Sequence, residues 1–192
     1  MPEGPPRRAV FLDRDGTLIE ERGFPVRRDD IVPLPGVSRA LAELGRDGWL
    51  RIVLTNQSAI ARGLLSEEEL GRLHEDLAAK LARQGGAIDA LYYCPHLPDG
   101  VARGYAHACA CRKPGRGLLD LALAEHPIDL GASAFIGDSP RDLYLDVAGA
   151  GPRILLRSGH PLADTRGADH VADTLADAVA WLLNPRRASS AP

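Results

Sequence analysis

Two aspartates, one residue apart, follow the first apolar run of the chain. The run AVFL at residues 9–12 leads directly into Asp13 and Asp15. In an extended chain residues i and i+2 point to the same side, so both carboxylates can serve one cavity. Two carboxylates that close repel each other, and one is driven towards protonation unless a cation lies between them. The pair therefore predicts a cation site.

Polar residues also follow the later apolar runs. They are Thr55, Asn56, Gln57 and Ser58 after the second run, Cys94 and His96 after the third, and Asp138 and Ser139 after the fourth. Any one of these sets alone is typical of a turn or a helix cap. In a parallel sheet, however, ligands bind beyond the carboxyl ends of the strands, where all of these residues would meet. A third acid, Asp138, favours Mg²⁺, which prefers hard oxygen ligands.

The elements that must position these residues alternate along the chain. Short apolar, β-rich runs predict strands over 9–12, 50–55, 90–94, 134–137 and 153–156. Helical patterns predict helices over 37–46, 66–83, 118–125, 141–148 and 175–183. This alternation indicates an α/β protein with a doubly wound parallel sheet. Residues after about 158 carry no motif that indicates a function.

Length and composition limit the classes of function. We expect 192 residues to form one domain, with a core over about 8–183 and flexible tails at 1–7 and 184–192. A net charge of −3 argues against nucleic-acid binding. The chain has no apolar run of about 18 residues and no secretory start, so we expect no membrane contact and a cytoplasmic location.

All three cysteines lie in one window, residues 94–111. Its candidate ligands, Cys94, His96, Cys109 and Cys111, form a set typical of a structural, tetrahedral zinc site. His107 is an alternative to His96. A disulfide fits less well, because three cysteines are an odd number and the cytosol is reducing.

The window contains few apolar residues, so a metal would supply its order. It ends directly at Arg112 and Lys113, and Lys113 is one of only two lysines in the chain. We expect the loop to hold these two side chains over the cavity. With four protein ligands, the zinc would have no open position for catalysis.

Four motifs in order resemble those of the haloacid dehalogenase superfamily of phosphatases. They are FLDRDGTL, LTNQS, CRKP and IGDSPRD, and the resemblance spans residues 9–157. It implies a sheet in which the first strand lies between the second and the fourth. Only about twenty residues separate Asp15 from the helix at 37–46, so we expect no cap domain. The resemblance also implies catalytic roles for four residues. Asp13 would be the nucleophile, Asp15 the general acid and base, and Thr55 and Lys113 would bind the phosphoryl group.

The same resemblance implies a catalytic Mg²⁺ ion. Its ligands would be the side chains of Asp13 and Asp138 and the backbone carbonyl of Asp15. Asp142 would support these ligands from behind.

Within this superfamily the segments TNQSAIARG and YYCPH…CACRKP are similar to the heptose bisphosphate phosphatases and to the related histidinol-phosphate phosphatases, which share the zinc loop. The resemblance to the heptose bisphosphate phosphatases implies removal of the C7 phosphate of D-glycero-D-manno-heptose 1,7-bisphosphate. This reaction would serve the synthesis of nucleotide-activated heptose and lipopolysaccharide. Histidinol phosphate is the alternative substrate, and a non-catalytic zinc-stabilised module is the remote alternative. The sequence is compatible with either anomer at C1.

Substrate contacts implied by the resemblance come from three loops and the motif residues. They are Arg14, Glu21, Arg22, Gly23, Phe24, Asn56, Gln57, Ser58, Arg112 and Ser139. Arg112 would bind the distant C1 phosphate, since a guanidinium suits bidentate phosphate binding. Ser139 stands where some heptose phosphatases have lysine. Arg62 is either a further contact or a helix-surface arginine. The open site makes a monomer the expected state.

Overall fold

The computed structural model describes residues 4–143, 149–158 and 165–184. A six-stranded parallel sheet forms its centre, with the order β3-β2-β1-β4-β5-β6. This confirms the predicted doubly wound α/β fold and the position of β1 between β2 and β4. The strands are β1 Ala9–Leu12, β2 Leu50–Asn56, β3 Ala90–Cys94, β4 Ala134–Gly137, β5 Arg153–Leu156 and β6 His170–Ala172.

Helices cover both faces of the sheet. They are α1 Val37–Arg46, α2 Glu67–Ala82, α3 Gly117–Glu125, α4 Pro140–Leu143 and α5 Leu175–Leu182, with a 3-10 helix at Arg28–Asp30. Leucines of α1 and α2 and Val179 of α5 share one apolar cluster with Val10 and Leu12. Leu118 and Leu119 of α3 share the other with Phe11. Successive residues of β1 thus face opposite layers, as the period of a strand requires.

The strand register brings the ends of the central strands together. Leu12 of β1 is paired with Val53 of β2 and Ile136 of β4. The next amide, that of Asp13, donates to the carbonyl of Ile136 over 3.1 Å. The residues that follow β1, β2 and β4 therefore emerge at one edge.

The structure differs from the expectations in two places, and a third expectation is described only in part. Strand β6 has only three residues, too few to show a period-2 pattern, and was not predicted. Arg7 is not part of a free tail, because its amide donates to the carbonyl of Pro127 over 2.7 Å. The predicted helix over 141–148 is helical to Leu143, and its remainder at 144–148 lies outside the described residues, as do 185–192.

No helix in the described part of the chain combines the length and the apolar character needed to cross a membrane.

Helix α3 offers a matched test of the core. Leu119 is fully buried, whereas Leu121 on the same helix is 50% exposed. We expect Leu119→Ala to lower the free energy of unfolding by about 2–5 kcal/mol, because it removes buried methyl groups and leaves a cavity. Leu121→Ala should change it by about 0.5 kcal/mol or less. Urea unfolding measures both, and equal losses would contradict the packing of this helix.

Candidate active site

A cavity of about 290 Å³ opens at the carboxyl ends of the central strands. Thirteen of the residues that the sequence indicated line it: Asp13, Asp15, Glu21, Gly23, Phe24, Thr55, Asn56, Gln57, Ser58, Arg112, Lys113, Asp138 and Asp142. Three other residues complete the lining: Pro25, Ala59 and Arg141. The polar strand ends thus meet in one place, as parallel topology predicts.

Lys113 is the buried cation of this cavity, with a side chain only 3% exposed. Its Nζ donates to Asp13 Oδ1 over 2.7 Å and to the carbonyl of Leu54 over 2.6 Å, and it pairs with Asp142 Oδ1 at 2.7 Å. Burial alone would lower the pKa of Lys113, but the two carboxylates outweigh burial and raise it. The ammonium group therefore stays charged at neutral pH.

The backbone of Lys113 is fixed by Asn56 at the end of β2. The Asn56 side chain donates to the carbonyl of Lys113 over 3.2 Å and accepts from its amide over 3.0 Å. Asn56 thus both lines the cavity and anchors the catalytic lysine that the sequence indicated.

Three carboxylates converge beside Lys113. Ligand oxygens of Asp13, Asp138 and Asp142 lie within 4.8 Å of one another. Burial, together with the negative charges of Asp13 and Asp142, raises the pKa of Asp138 to about 8. Asp138 is therefore largely protonated at neutral pH without a metal, and a bound divalent cation is the group that would let all three acids ionise together. These acids fit the Mg²⁺ site expected from the sequence.

Two glycines allow these acids to pack so closely. Gly16 adopts φ +71°, and a Cβ there would lie 2.2 Å from Asp138 Oδ2. A Cβ on Gly137 would lie 2.4 Å from the Cβ of Asp142. Any larger residue at either position would displace a carboxylate of the cluster.

Arg14 corrects the expectation of a substrate contact. Its side chain is fully buried. Its Nε and Nη2 donate to both carboxylate oxygens of Asp15 over 2.8–3.2 Å. Its Nη1 lies 3.1 Å from His74 Nε2 on α2. Removal from water, and then the charge of Arg14, lower the pKa of His74 to about 3. Arg14 therefore supports Asp15 from behind.

Gln57 joins the end of β2 to Asp15. Its amide nitrogen donates to Asp15 Oδ2 and to Thr55 Oγ1, each over 2.9 Å. The Asp15 carboxylate is thereby held on two sides, by Arg14 and by Gln57.

Two further expected contacts, Arg22 and Ser139, lie outside the cavity lining, and their contact with substrate stays a prediction. The exposed guanidinium of Arg22 donates to Glu20 Oε2 over 2.6–2.9 Å. The hydroxyl of Ser139 accepts from Arg141 Nε over 2.9 Å, and its amide donates to Asp142. Arg62 stacks on Phe24, with 4.8 Å from its guanidinium carbon to the ring centroid, and so supports the cavity rim.

Sequence reasoning missed Arg141, a positively charged residue of the cavity lining. It lies in the short helix α4, three residues after Asp138. Its position in a helix that begins at a strand end was the available signal. His74 gave no such signal, because it lies on α2, far from any motif.

The four predicted thiol and imidazole ligands form a second cluster. The three sulfurs of Cys94, Cys109 and Cys111 lie 3.1–3.5 Å apart, and His96 Nδ1 lies 3.3 Å from the Cys111 sulfur. The thiols are free, and their spacing is close to the roughly 3.8 Å between ligands of a tetrahedral zinc with Zn–S of about 2.3 Å. The His107 ring packs against His96 at 4.3 Å and is not one of the four. The donor set fits zinc.

An aspartate pair after β1, a threonine at the end of β2, a buried lysine and an acidic cluster near the end of β4 define a phosphatase of the haloacid dehalogenase type. Comparisons with known proteins extend this assignment. A D-glycero-beta-D-manno-heptose-1,7-bisphosphate 7-phosphatase from Photorhabdus laumondii is 40% identical over 180 residues, covering 92% of this chain and 95% of that protein. The Escherichia coli K12 protein of the same name is 38% identical over 177 residues, covering 92% and 88%.

A solved structure agrees with these relatives. The D,D-heptose 1,7-bisphosphate phosphatase from B. bronchiseptica, complexed with magnesium and phosphate, matches with a TM-score of 0.78 at 33% identity, covering 92% of this chain and 98% of that one. No protein-family model matches the sequence. On its relatives, the chain belongs to the heptose-1,7-bisphosphate 7-phosphatase family.

The raised pKa of Asp138 gives a pH-dependent stability. The ordinary pKa of 3.8 applies in the unfolded chain, whereas the folded value is about 8. The folded state therefore binds a proton that the unfolded state releases, and this stabilisation is complete below pH 3.8 and lost as pH rises through 8. In Mg²⁺-free buffer we expect unfolding free energy to fall over this range, by on the order of a few kcal/mol.

Asp138→Asn should flatten that profile in urea unfolding between pH 5 and 8.5. Added Mg²⁺ should raise the unfolding free energy of the wild type most near pH 8.5. It should change that of the variant little at any pH in this range. Identical profiles for the two proteins would contradict the raised pKa of Asp138.

Proposed function

We propose that this protein hydrolyses the C7 phosphate of D-glycero-β-D-manno-heptose 1,7-bisphosphate. The observation that carries the proposal is the position of Asp13, which pairs with Lys113 Nζ at 2.7 Å and lies in one cluster with Asp138 and Asp142. Arg112 lines the same cavity. The family supports the substrate, since the curated relatives bear the name of the β-anomer phosphatase. The product would serve nucleotide-activated heptose and lipopolysaccharide synthesis.

The proposed reaction proceeds in two displacements. A carboxylate oxygen of Asp13 attacks the C7 phosphorus, and the bond from phosphorus to the sugar oxygen breaks. Asp15 gives its proton to that oxygen as the sugar leaves. Water then attacks the aspartyl phosphate and gives its proton to Asp15, which releases inorganic phosphate and restores Asp13.

The cavity supplies positive charge and donors for the transferred group. Lys113 and the hydroxyl of Thr55 would bind the phosphoryl oxygens, and Asp13, Asp138 and the backbone of Asp15 would hold Mg²⁺, with Asp142 beside them. The ion supplies charge neutralisation when bound. Magnesium is supported by the related structure complexed with magnesium and phosphate.

Substrate choice depends on Arg112. Its Nη1 donates to the carbonyl of His96 over 3.1 Å, which ties its side chain to the cysteine loop at the cavity wall. A second phosphate, at C1, gives this guanidinium a bidentate partner. Histidinol phosphate carries a cationic amine in place of that phosphate, so Arg112 disfavours it. Glu21, Gly23, Phe24 and Ser58 complete the proposed contacts.

We also propose that Cys94, His96, Cys109 and Cys111 bind a structural Zn²⁺ ion. The residues from His96 to Arg112 form neither helix nor strand, so a metal is the strongest source of their order. A reducing, cytoplasmic location agrees with the free thiols. One domain is supported by apolar clusters on both faces of a single sheet. We propose that this domain acts as a monomer.

The proposed nucleophile can be tested by one substitution. Asp13→Asn keeps the side-chain volume but removes the attacking charge, so phosphate release should fall roughly 1,000-fold or more. Asp29→Asn, an exposed carboxylate in the 3-10 helix, is the matched control and should retain full activity. Phosphate release with Mg²⁺ is measured for both heptose anomers and for histidinol phosphate. Higher kcat/KM for histidinol phosphate would refute the proposed substrate.

The zinc proposal is tested by metal content. Cys109→Ser should lose most of the bound zinc and raise KM several-fold, because the loop that carries Arg112 loses order. His107→Ala, next to His96 but outside the four ligands, should keep one zinc per chain. Elemental analysis decides, and unchanged zinc in Cys109→Ser would rule out this ligand set.

A further inference from the structure

We infer that His74 is a positioning residue for Asp15 and acts through Arg14. The inference rests on the proposed function in one respect: Asp15 is taken to protonate the leaving oxygen. His74 itself lies outside the cavity lining and touches no reacting group in the described structure. Its influence would pass through the guanidinium that lies between it and the acid.

Arg14 is a desolvated charge whose position depends on its partners. The side chain is fully buried, and two of its nitrogens form a fork onto both oxygens of Asp15. A buried guanidinium is costly unless its donors are matched, so the remaining nitrogen, Nη1, needs an acceptor. His74 Nε2 supplies it at 3.1 Å.

The contact also fixes the chemical form of His74. A guanidinium only donates hydrogen bonds, so the ring nitrogen that faces it must accept and carry no proton. The proton of the neutral ring is then on Nδ1.

His74 interrupts a face of α2 that is otherwise apolar. Leu70, Leu73, Leu77 and Leu81 are the buried residues of this helix. His74 lies four residues after Leu70 and three before Leu77, and its ring packs against Tyr93 of β3 at 5.7 Å. A leucine would continue the stripe, so packing alone does not call for an imidazole here.

The consequence for catalysis is orientation of the acid. Asp15 must keep one oxygen directed at the leaving group while Arg14 and Gln57 hold the carboxylate. Without an acceptor for Nη1, the guanidinium would lower its energy by moving towards water or another carbonyl. The Asp15 carboxylate that it holds would then move with it. General-acid catalysis by a positioned group is worth about 10²–10⁴-fold, so partial misplacement should cost roughly tenfold.

The test compares leaving groups. A sugar phosphate, such as glucose 6-phosphate or the heptose bisphosphate, needs protonation of an alkoxide, whereas p-nitrophenyl phosphate releases a stable phenolate. For His74→Leu we expect kcat/KM to fall roughly tenfold on the sugar phosphate and less than about twofold on the aryl phosphate. His74→Gln, which restores a neutral acceptor near Nε2, should recover most of the loss.

Leu77→Ala, on the same face of α2, is the control for destabilisation alone and should affect both substrates equally. Equal losses on both substrates in His74→Leu, or failure of Gln to rescue, would overturn the inference. Should the variants fold poorly, nitrogen-15 NMR of the wild type still decides: Nε2 of His74 is expected unprotonated, and a protonated Nε2 would refute the contact. A wild type that cleaves glucose 6-phosphate but not the heptose bisphosphate would refute only the proposed substrate.

Discussion

The structure of this site depends on one buried ammonium group. Lys113 stands between Asp13 and Asp142, and a third acid, Asp138, lies beside them. Carboxylates this close are stable only near a cation, so the lysine determines where they can gather. Their remaining charge makes the cavity a site for a divalent ion as well as for a phosphoryl group.

The rest of the fold holds that lysine and its partners in place. Parallel pairing of β1 with β2 and β4 aligns the three strand ends, and Asn56 anchors the lysine backbone to β2. The cysteine loop approaches from the other direction and ends at Arg112, beside the lysine. Sheet and loop therefore contribute different parts of the cavity: the strand ends provide the clustered aspartates, and the loop provides Arg112 and Lys113.

The sequence predicted the sheet and most of the cavity because motif residues directly follow apolar strands, and parallel topology brings strand ends together. It failed where position depends on distant packing. Arg14 reads as a substrate contact because it lies between Asp13 and Asp15, yet its partner His74 is 60 residues away on α2. Ser139 reads as a contact because it follows Asp138, yet it lies outside the lining and its hydroxyl accepts from Arg141, two residues on. Strand β6 was missed since three residues carry no recognisable period.

The two glycines below the acidic cluster limit how this enzyme can evolve. One methyl group at Gly16 would collide with Asp138, and one at Gly137 would collide with Asp142. A substitution at either glycine would therefore disturb the aspartate that it contacts, although neither glycine contributes a functional group. Lineages that retain the acids must retain both glycines. Exchange of a glycine for a larger residue should appear only together with a rebuilt ion-binding arrangement.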